Sequence, residues 1–284
     1  MDQLSSTVDG SGPRVVLVHG FTQTLASWEP LAARLRPRWQ VVRVDLPGHG
    51  GSGAVRADLP GTAALLGKAG GSGGLKSEAP PQEAGDRLEP SGSPPVNEVR
   101  AAYLGYSLGG RVCLRLALDR PDLVGALVLV GASPGIADAG ERAGRRAADE
   151  ALAGELERDG VAAFLDRWLA GPLFATLPAE RAGRAERLGN SAAGLAAALR
   201  LLGVGAQEPL WARLPELAAP VLLVAGERDG KFAALAGRMA AAIGPRARVA
   251  LVPGAGHAAH LEQPERFGDL VESFLEEAHA SAAW

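Results

Sequence analysis

Val99-Arg100-Ala101-Ala102-Tyr103-Leu104-Gly105-Tyr106-Ser107-Leu108-Gly109 runs from an extended pattern into a helical one through a G-x-S-x-G turn. The bare pattern carries little weight in a chain with 38 glycines. Its setting carries more, because a strand before it and a helix from Leu108 to Leu118 after it are what a nucleophile elbow requires. The glycines keep a tight, strained turn free of side chains. The serine then stands at the head of a helix, where the Leu108 N–H and the helix N-terminus favour developing negative charge.

Outward from this turn, short β-branched runs alternate with helical patterns. Val15–Val18, Val41–Val44, Leu127–Val130, Val221–Val224 and Val249–Val252 read as strands buried on both faces. Helical segments lie at Trp28–Leu35, Phe232–Ile243 and Pro264–Glu277. The alternation predicts an α/β fold with a mostly parallel sheet flanked by helices. From about Ser133 to Leu217 the pattern is helical and holds no convincing strand. The expected organisation is therefore a core formed by residues 1–132 and 218–284, with a helical cap inserted over residues 133–217. Such a cap would close over the strand C-termini, where open α/β sheets bind ligands. The stretch from about 53 to 97 is rich in Gly, Pro, Ser and Ala. It reads as a low-complexity, flexible loop with one short helix near Thr62–Lys68.

Serine is a weak nucleophile and a weak base without an imidazole, and the imidazole needs an orienting carboxylate. His257 follows the last expected strand in Pro253-Gly254-Ala255-Gly256-His257. Asp229 follows the preceding strand in Gly226-Glu227-Arg228-Asp229-Gly230. The order Ser, Asp, His and the position of each at a strand C-terminus predict a catalytic set of Ser107, Asp229 and His257. His19-Gly20-Phe21 follows the first strand, and the Phe21 N–H is a candidate oxyanion donor beside that of Leu108. Asp45-Leu46-Pro47-Gly48-His49-Gly50 reads as a structural loop, and His49 and His260 read as structural.

The formal net charge of −3 argues against a nucleic-acid partner. The single cysteine, Cys113, excludes an internal disulfide and a cysteine-built zinc site, and it reads as a buried, inert thiol. No apolar run reaches the length of a membrane span, and the polar start of the chain lacks a signal-peptide pattern. The expectation is a cytoplasmic protein, with its oligomeric state left open.

Together, His19-Gly20-Phe21, Asp45–Gly50, the serine turn and Gly254–His257 resemble the α/β-hydrolase superfamily. Further motifs narrow the resemblance: Arg111 four residues after the serine, Asp229-Gly230-Lys231-Phe232, His257-Ala258-Ala259-His260-Leu261-Glu262-Gln263-Pro264, Pro172-Leu173-Phe174, and Gly203–Gln207 before Leu210-Trp211. This combination resembles the 2-succinyl-6-hydroxy-2,4-cyclohexadiene-1-carboxylate synthases of menaquinone biosynthesis, over about residues 13–53 and 100–276. The resemblance implies an α/β-hydrolase fold with an inserted helical cap, no metal and no organic cofactor. It implies a lyase reaction in which Ser107, polarised by His257 and Asp229, abstracts a proton and pyruvate is eliminated. It also implies a small carboxylated substrate contacted by Tyr106, Arg111, Arg145, Trp168 and Arg187. Arg142, Arg146 and Arg184 are alternatives among the nine arginines of residues 141–200, most of which should form solvated helix faces such as Glu141 with Arg145. Trp168 also fits a place in the cap core. The family has a regular helix before the serine strand, whereas here Gly61–Pro95 reads as low in complexity. Two rival functions remain: an esterase or carbon–carbon bond hydrolase using Ser107 as nucleophile or base, and a binding protein that kept the fold. The arginines favour the lyase, and the complete Ser-Asp-His set argues against the binding protein.

Overall fold

A computed structural model describes residues 3–71, 99–282 and 284. Among these residues, seven strands form one sheet in the order β1-β3-β2-β4-β5-β6-β7. They are β1 Ser6–Asp9, β2 Arg14–Val18, β3 Gln40–Val44, β4 Ala101–Tyr106, β5 Val124–Val130, β6 Val221–Gly226 and β7 Ala247–Val252. The helices are α1 Glu29–Leu35, α2 Leu59–Gly71, α3 Leu108–Asp119, α4 Ala139–Leu169, α5 Arg184–Arg187, α6 Ala192–Leu202, α7 Gly230–Ile243, α8 Ala259–Glu262 and α9 Pro264–Ala282. All strand pairs are parallel except β1 with β3. The edge strand β1 has four residues, Ser-Thr-Val-Asp, all half-buried. With no apolar run, it left no strand signal in the sequence.

Strands β2, β4, β5 and β6 are fully buried, as their unbroken apolar runs require. One core layer packs α2, α3 and α7 against the sheet, through residues such as Leu66, Val112 and Met239. The other packs α1 and α9 against the opposite face, through Leu31, Leu35, Phe267 and Val271. The chain leaves the sheet after β5 and returns at β6. Between them α4 and α6 pack together around Ala153, Leu156, Phe164, Leu195 and Leu199. Helix α4 is broken at Gly160, whose φ of 78° and ψ of 170° are not helical. None of the described helices is long and apolar enough to cross a membrane.

The reading of residues 53–97 as a loop needs correction over its first part. A helix spans Leu59–Gly71, longer than the expected short piece. Asp58 opens it by accepting the Gly61 N–H at 2.8 Å. Leu59, Thr62, Ala63 and Leu66 recur at helical spacing and are buried. Its glycines, which looked like loop residues, mark close packing: a Cβ at Gly70 would collide with the Tyr103 hydroxyl. The remainder of the low-complexity stretch, residues 72–98, lies outside the described residues.

Leu66 is fully buried, so Leu66→Ala is expected to cost about 2–5 kcal/mol in urea unfolding. A cost below about 1 kcal/mol would mean that α2 is not docked as described.

Candidate active site

Ser107 occupies the junction of β4 and α3 with φ 50° and ψ −104°. A non-glycine residue rarely takes a positive φ. Here the crowding of the turn allows little else. A Cβ at Gly109 would collide with the carbonyl oxygen of Val18, and one at Gly105 with the Gly109 backbone. The Ser107 N–H is pinned to the Val130 carbonyl of β5 at 2.8 Å.

His257 Nε2 lies 3.3 Å from Ser107 Oγ, and its Nδ1 lies 2.8 Å from Asp229 Oδ2. Nδ1–H donates to the carboxylate, which leaves the Nε2 lone pair facing the serine hydroxyl. Asp229 is itself fixed, because its other oxygen accepts the Phe232 N–H at 3.2 Å as the cap of α7. The His257 loop is tied by Glu262, a buried carboxylate that accepts the Gly256 N–H at 2.7 Å and the Ala258 N–H at 3.1 Å. Phe232 and Tyr106 pack on the His257 ring at 4.5 and 5.3 Å between centroids. The sequence showed Glu262 only as part of a motif, because nothing in the pattern points a helix carboxylate back at two loop amides.

Ser107 and His257 open into a cavity of about 550 Å³ between core and cap. Phe21 and Leu108 lie on its wall, with Arg111, Arg145 and Trp168. Arg111 is 9% exposed and donates to Gln207 Oε1 at 2.9 Å and to the Leu202 carbonyl at 2.7 Å. Among the described residues no carboxylate forms an ion pair with it. Burial, then the neighbouring Arg145 charge, pulls its guanidinium down to about 10, so it stays cationic at neutral pH. Arg145 does not pair with Glu141 as expected. It bonds Asp149 Oδ1 at 2.8 Å, because Asp149 is buried against Gly203 and needs a counter-charge, whereas Glu141 stands in the first turn of α4. Trp168 takes both of its expected places: it faces the cavity and packs on Phe21 and Phe164.

Two expected substrate contacts sit elsewhere. Tyr106 and Arg187 are not among the described residues lining the cavity. Tyr106 is buried behind the triad against His257 and His260, and burial pushes its phenol up. Arg187 is 2% exposed and bonds the Ala182 carbonyl and the Thr22 hydroxyl. The alternatives lie off the wall as well: Arg142 bonds the Ile136 and Ala137 carbonyls, Arg146 the Gly205 carbonyl, and Arg184 pairs with Asp166. The sequence showed Lys231 and Trp211 only as motif residues and did not single out Arg238, yet all three line the cavity. Arg238 lies over the Trp211 ring at 4.6 Å, and the Trp211 indole donates to the Gly135 carbonyl at 3.0 Å. The available signal was their spacing, since residues 231 and 238 stand two turns apart on one face of α7.

His19, His49 and His260 are buried behind the site. His19 Nε2 accepts the Leu46 N–H at 3.0 Å, so its 3.7 Å approach to Asp45 is not an ion pair. His49 Nε2 accepts the Thr22 N–H at 3.2 Å. Burial is the main cause that holds all three imidazoles low, at about 4, 3 and 3 respectively. The Cys113 thiol is buried, and burial pushes its pKa up.

A model of the α/β hydrolase family matches residues 15–270. A Bacillus subtilis (strain 168) protein provisionally named 2-succinyl-6-hydroxy-2,4-cyclohexadiene-1-carboxylate synthase is 36% identical over 283 residues, covering 96% of each chain. The synthase of that name from Klebsiella pneumoniae (strain 342) is 33% identical, over 92% of this chain and 94% of the relative. The solved structure of MenH from S. aureus superposes with a TM-score of 0.82 at 28% identity, covering 98% of this chain and 100% of that one. A thermophilic esterase from Thermogutta terrifontis has a TM-score of 0.77 at 23% identity, over 97% of this chain and 94% of the esterase, a likeness of fold alone.

The three neutral imidazoles make stability depend on pH. Below pH 6.5 the unfolded chain protonates them, while the native state, with values near 4 and 3, does not. Each should remove about 1.4 kcal/mol of stability per pH unit as the pH falls from 6.5 toward 4. Urea unfolding at pH 7 and pH 5.5 measures this, and His49→Gln should give a shallower loss. Equal stability at the two pH values would contradict neutral burial.

Proposed function

The chain belongs to the 2-succinyl-6-hydroxy-2,4-cyclohexadiene-1-carboxylate synthase family of α/β hydrolases, and from that premise we propose how its residues carry out the elimination of pyruvate. The enzyme is a carbon–oxygen lyase of menaquinone biosynthesis. Its substrate, 2-succinyl-5-enolpyruvyl-6-hydroxy-3-cyclohexene-1-carboxylate, carries an acidic hydrogen on ring carbon 2, next to the succinyl ketone. Ser107 Oγ takes this proton as its own passes to His257 Nε2, and Asp229 steadies the imidazolium. The electron pair left at carbon 2 forms the bond to carbon 3, the ring double bond shifts to carbons 4 and 5, and the carbon 5–oxygen bond breaks. The departing enolpyruvate takes up a proton and becomes pyruvate.

Negative charge grows on the ketone oxygen as the proton leaves. The Phe21 and Leu108 N–H groups are proposed to receive it, since both residues line the same cavity as Ser107. The observation that carries the reading is Arg111. A buried guanidinium one helical turn from Ser107, held by neutral acceptors, suits an incoming carboxylate. The substrate brings three carboxylates. Arg145, and Lys231 and Arg238 on α7, supply further positive charge around the same cavity, while Trp168 contributes an apolar wall. Tyr106 supports the His257 ring from behind. A cytoplasmic setting and the division of core and cap at residues 133 and 217 belong to the same proposal.

The hydrolase reading keeps one specific support, because the line from Ser107 through His257 to Asp229 also suits a nucleophile. Pyruvate release from the enolpyruvyl precursor, assayed beside hydrolysis of a p-nitrophenyl ester, separates the two. Ser107→Ala should lower pyruvate release at least ~10³-fold. Arg111→Ala should raise KM about 10- to 100-fold, the loss of a charge-assisted pair. Lys231→Ala and Arg238→Ala should each raise KM a few-fold with kcat nearly unchanged. Strong ester turnover without pyruvate release would sink the lyase reading.

A further inference from the structure

The turn that carries Phe21 is held largely from the cap. Thr22 is fully buried and sits at φ 68°, a left-handed conformation that a β-branched residue keeps only when its surroundings impose it. Each of its polar groups is bonded. The N–H donates to His49 Nε2 at 3.2 Å, the carbonyl accepts from Asn190 Nδ2 at 2.8 Å, and the hydroxyl accepts from Arg187 Nη1. Two of these three partners belong to the cap.

The same cap segment grips the residues on either side. Arg187 Nη1 reaches the Phe21 carbonyl at 3.5 Å. Glu186 Oε1 accepts the Thr24 N–H at 3.0 Å and also the Thr24 hydroxyl. Asn190 Oδ1 accepts the Gly50 N–H at 2.8 Å. The Phe21 ring meets the cap rings of Trp168 and Phe164 edge-on at 5.5 and 6.3 Å. Among the described residues no carboxylate lies within ion-pair distance of Arg187. Desolvating such a cation is costly. What Arg187 gains is a set of acceptors on both sides of the cap–core junction, namely the Ala182 carbonyl in the cap and Phe21 and Thr22 in the core.

We propose that Arg187, seconded by Asn190, is a positioning residue that locks the Phe21–Thr22 turn and so keeps the Phe21 N–H in the oxyanion site. Cap seating and completion of the oxyanion hole are then one event. Arg187 acts on the reaction through the turn and not by holding a substrate carboxylate. The inference rests on the assignment of Phe21 as an oxyanion donor given above.

The test uses a reaction blind to substrate charge. An uncharged p-nitrophenyl phosphonate modifies Ser107, and the rate is followed by p-nitrophenol release with mass spectrometry of the adduct. Arg187→Met and Thr22→Val should each slow this labelling at least ~10-fold, part of the loss expected for a removed oxyanion donor. The double variant should be no slower than the slower single one, because both changes break one contact. With the enolpyruvyl precursor, kcat should fall and KM should hold. If Arg187→Met does not fold, Thr22→Val alone carries the labelling and kcat readouts. Labelling at the wild-type rate in Arg187→Met, with KM raised, would overturn the proposal in favour of a direct carboxylate contact. Wild-type labelling rates in Thr22→Val would overturn it too. Absence of pyruvate release by the wild-type enzyme would instead strike the lyase reading, and the labelling comparison would stand.

Discussion

Ser107 is held at a backbone conformation that costs on the order of 1–2 kcal/mol, and the site is arranged around that constraint. The positive φ follows from a strand that must turn into a helix within a single residue. It persists because the Ser107 N–H is bonded to β5 and because the two flanking glycines let backbones meet without a Cβ. The same turn sets the helix register. Arg111 follows Ser107 by one turn of α3, so the strained residue and the buried cation face one cavity together.

From that fixed point the chemistry becomes a matter of charge in a confined space. A base that removes a proton beside a ketone needs donors for the resulting oxyanion, and a tri-anionic substrate needs cations. In the proposed mechanism Arg111 answers that need, because its own partners are neutral. Arg145 is partly committed to Asp149, so it offers less. Behind the wall, burial keeps His19, His49 and His260 neutral, and their hydrogen bonds to backbone groups and to Gln23 shape the loops around the site. His257 is the histidine among these that faces the serine.

Much of this was legible in the residues, for identifiable reasons. The central strands were readable because burial on both faces demands unbroken apolar runs. The line from Ser107 through His257 to Asp229 was readable because each member closely follows a strand. β1 was not, since four half-buried residues carry no pattern. Helix α2 was misjudged because glycines used for close packing against Tyr103 and α3 look like loop glycines until the neighbours are known. The cap arginines were the hardest to sort. Nine lie between residues 141 and 200, and their partners depend on tertiary geometry that sequence spacing does not encode. Arg187 ended against Thr22 and Arg145 against Asp149 for that reason.

The central claim is that Ser107 removes a proton and does not attack carbon. The most direct measurement is the isotope effect on pyruvate release from precursor deuterated at ring carbon 2, together with intact-protein mass spectrometry during turnover. The account predicts a primary isotope effect on kcat/KM and no covalent adduct on Ser107. An isotope effect of unity with a substrate-derived adduct on Ser107 would contradict it.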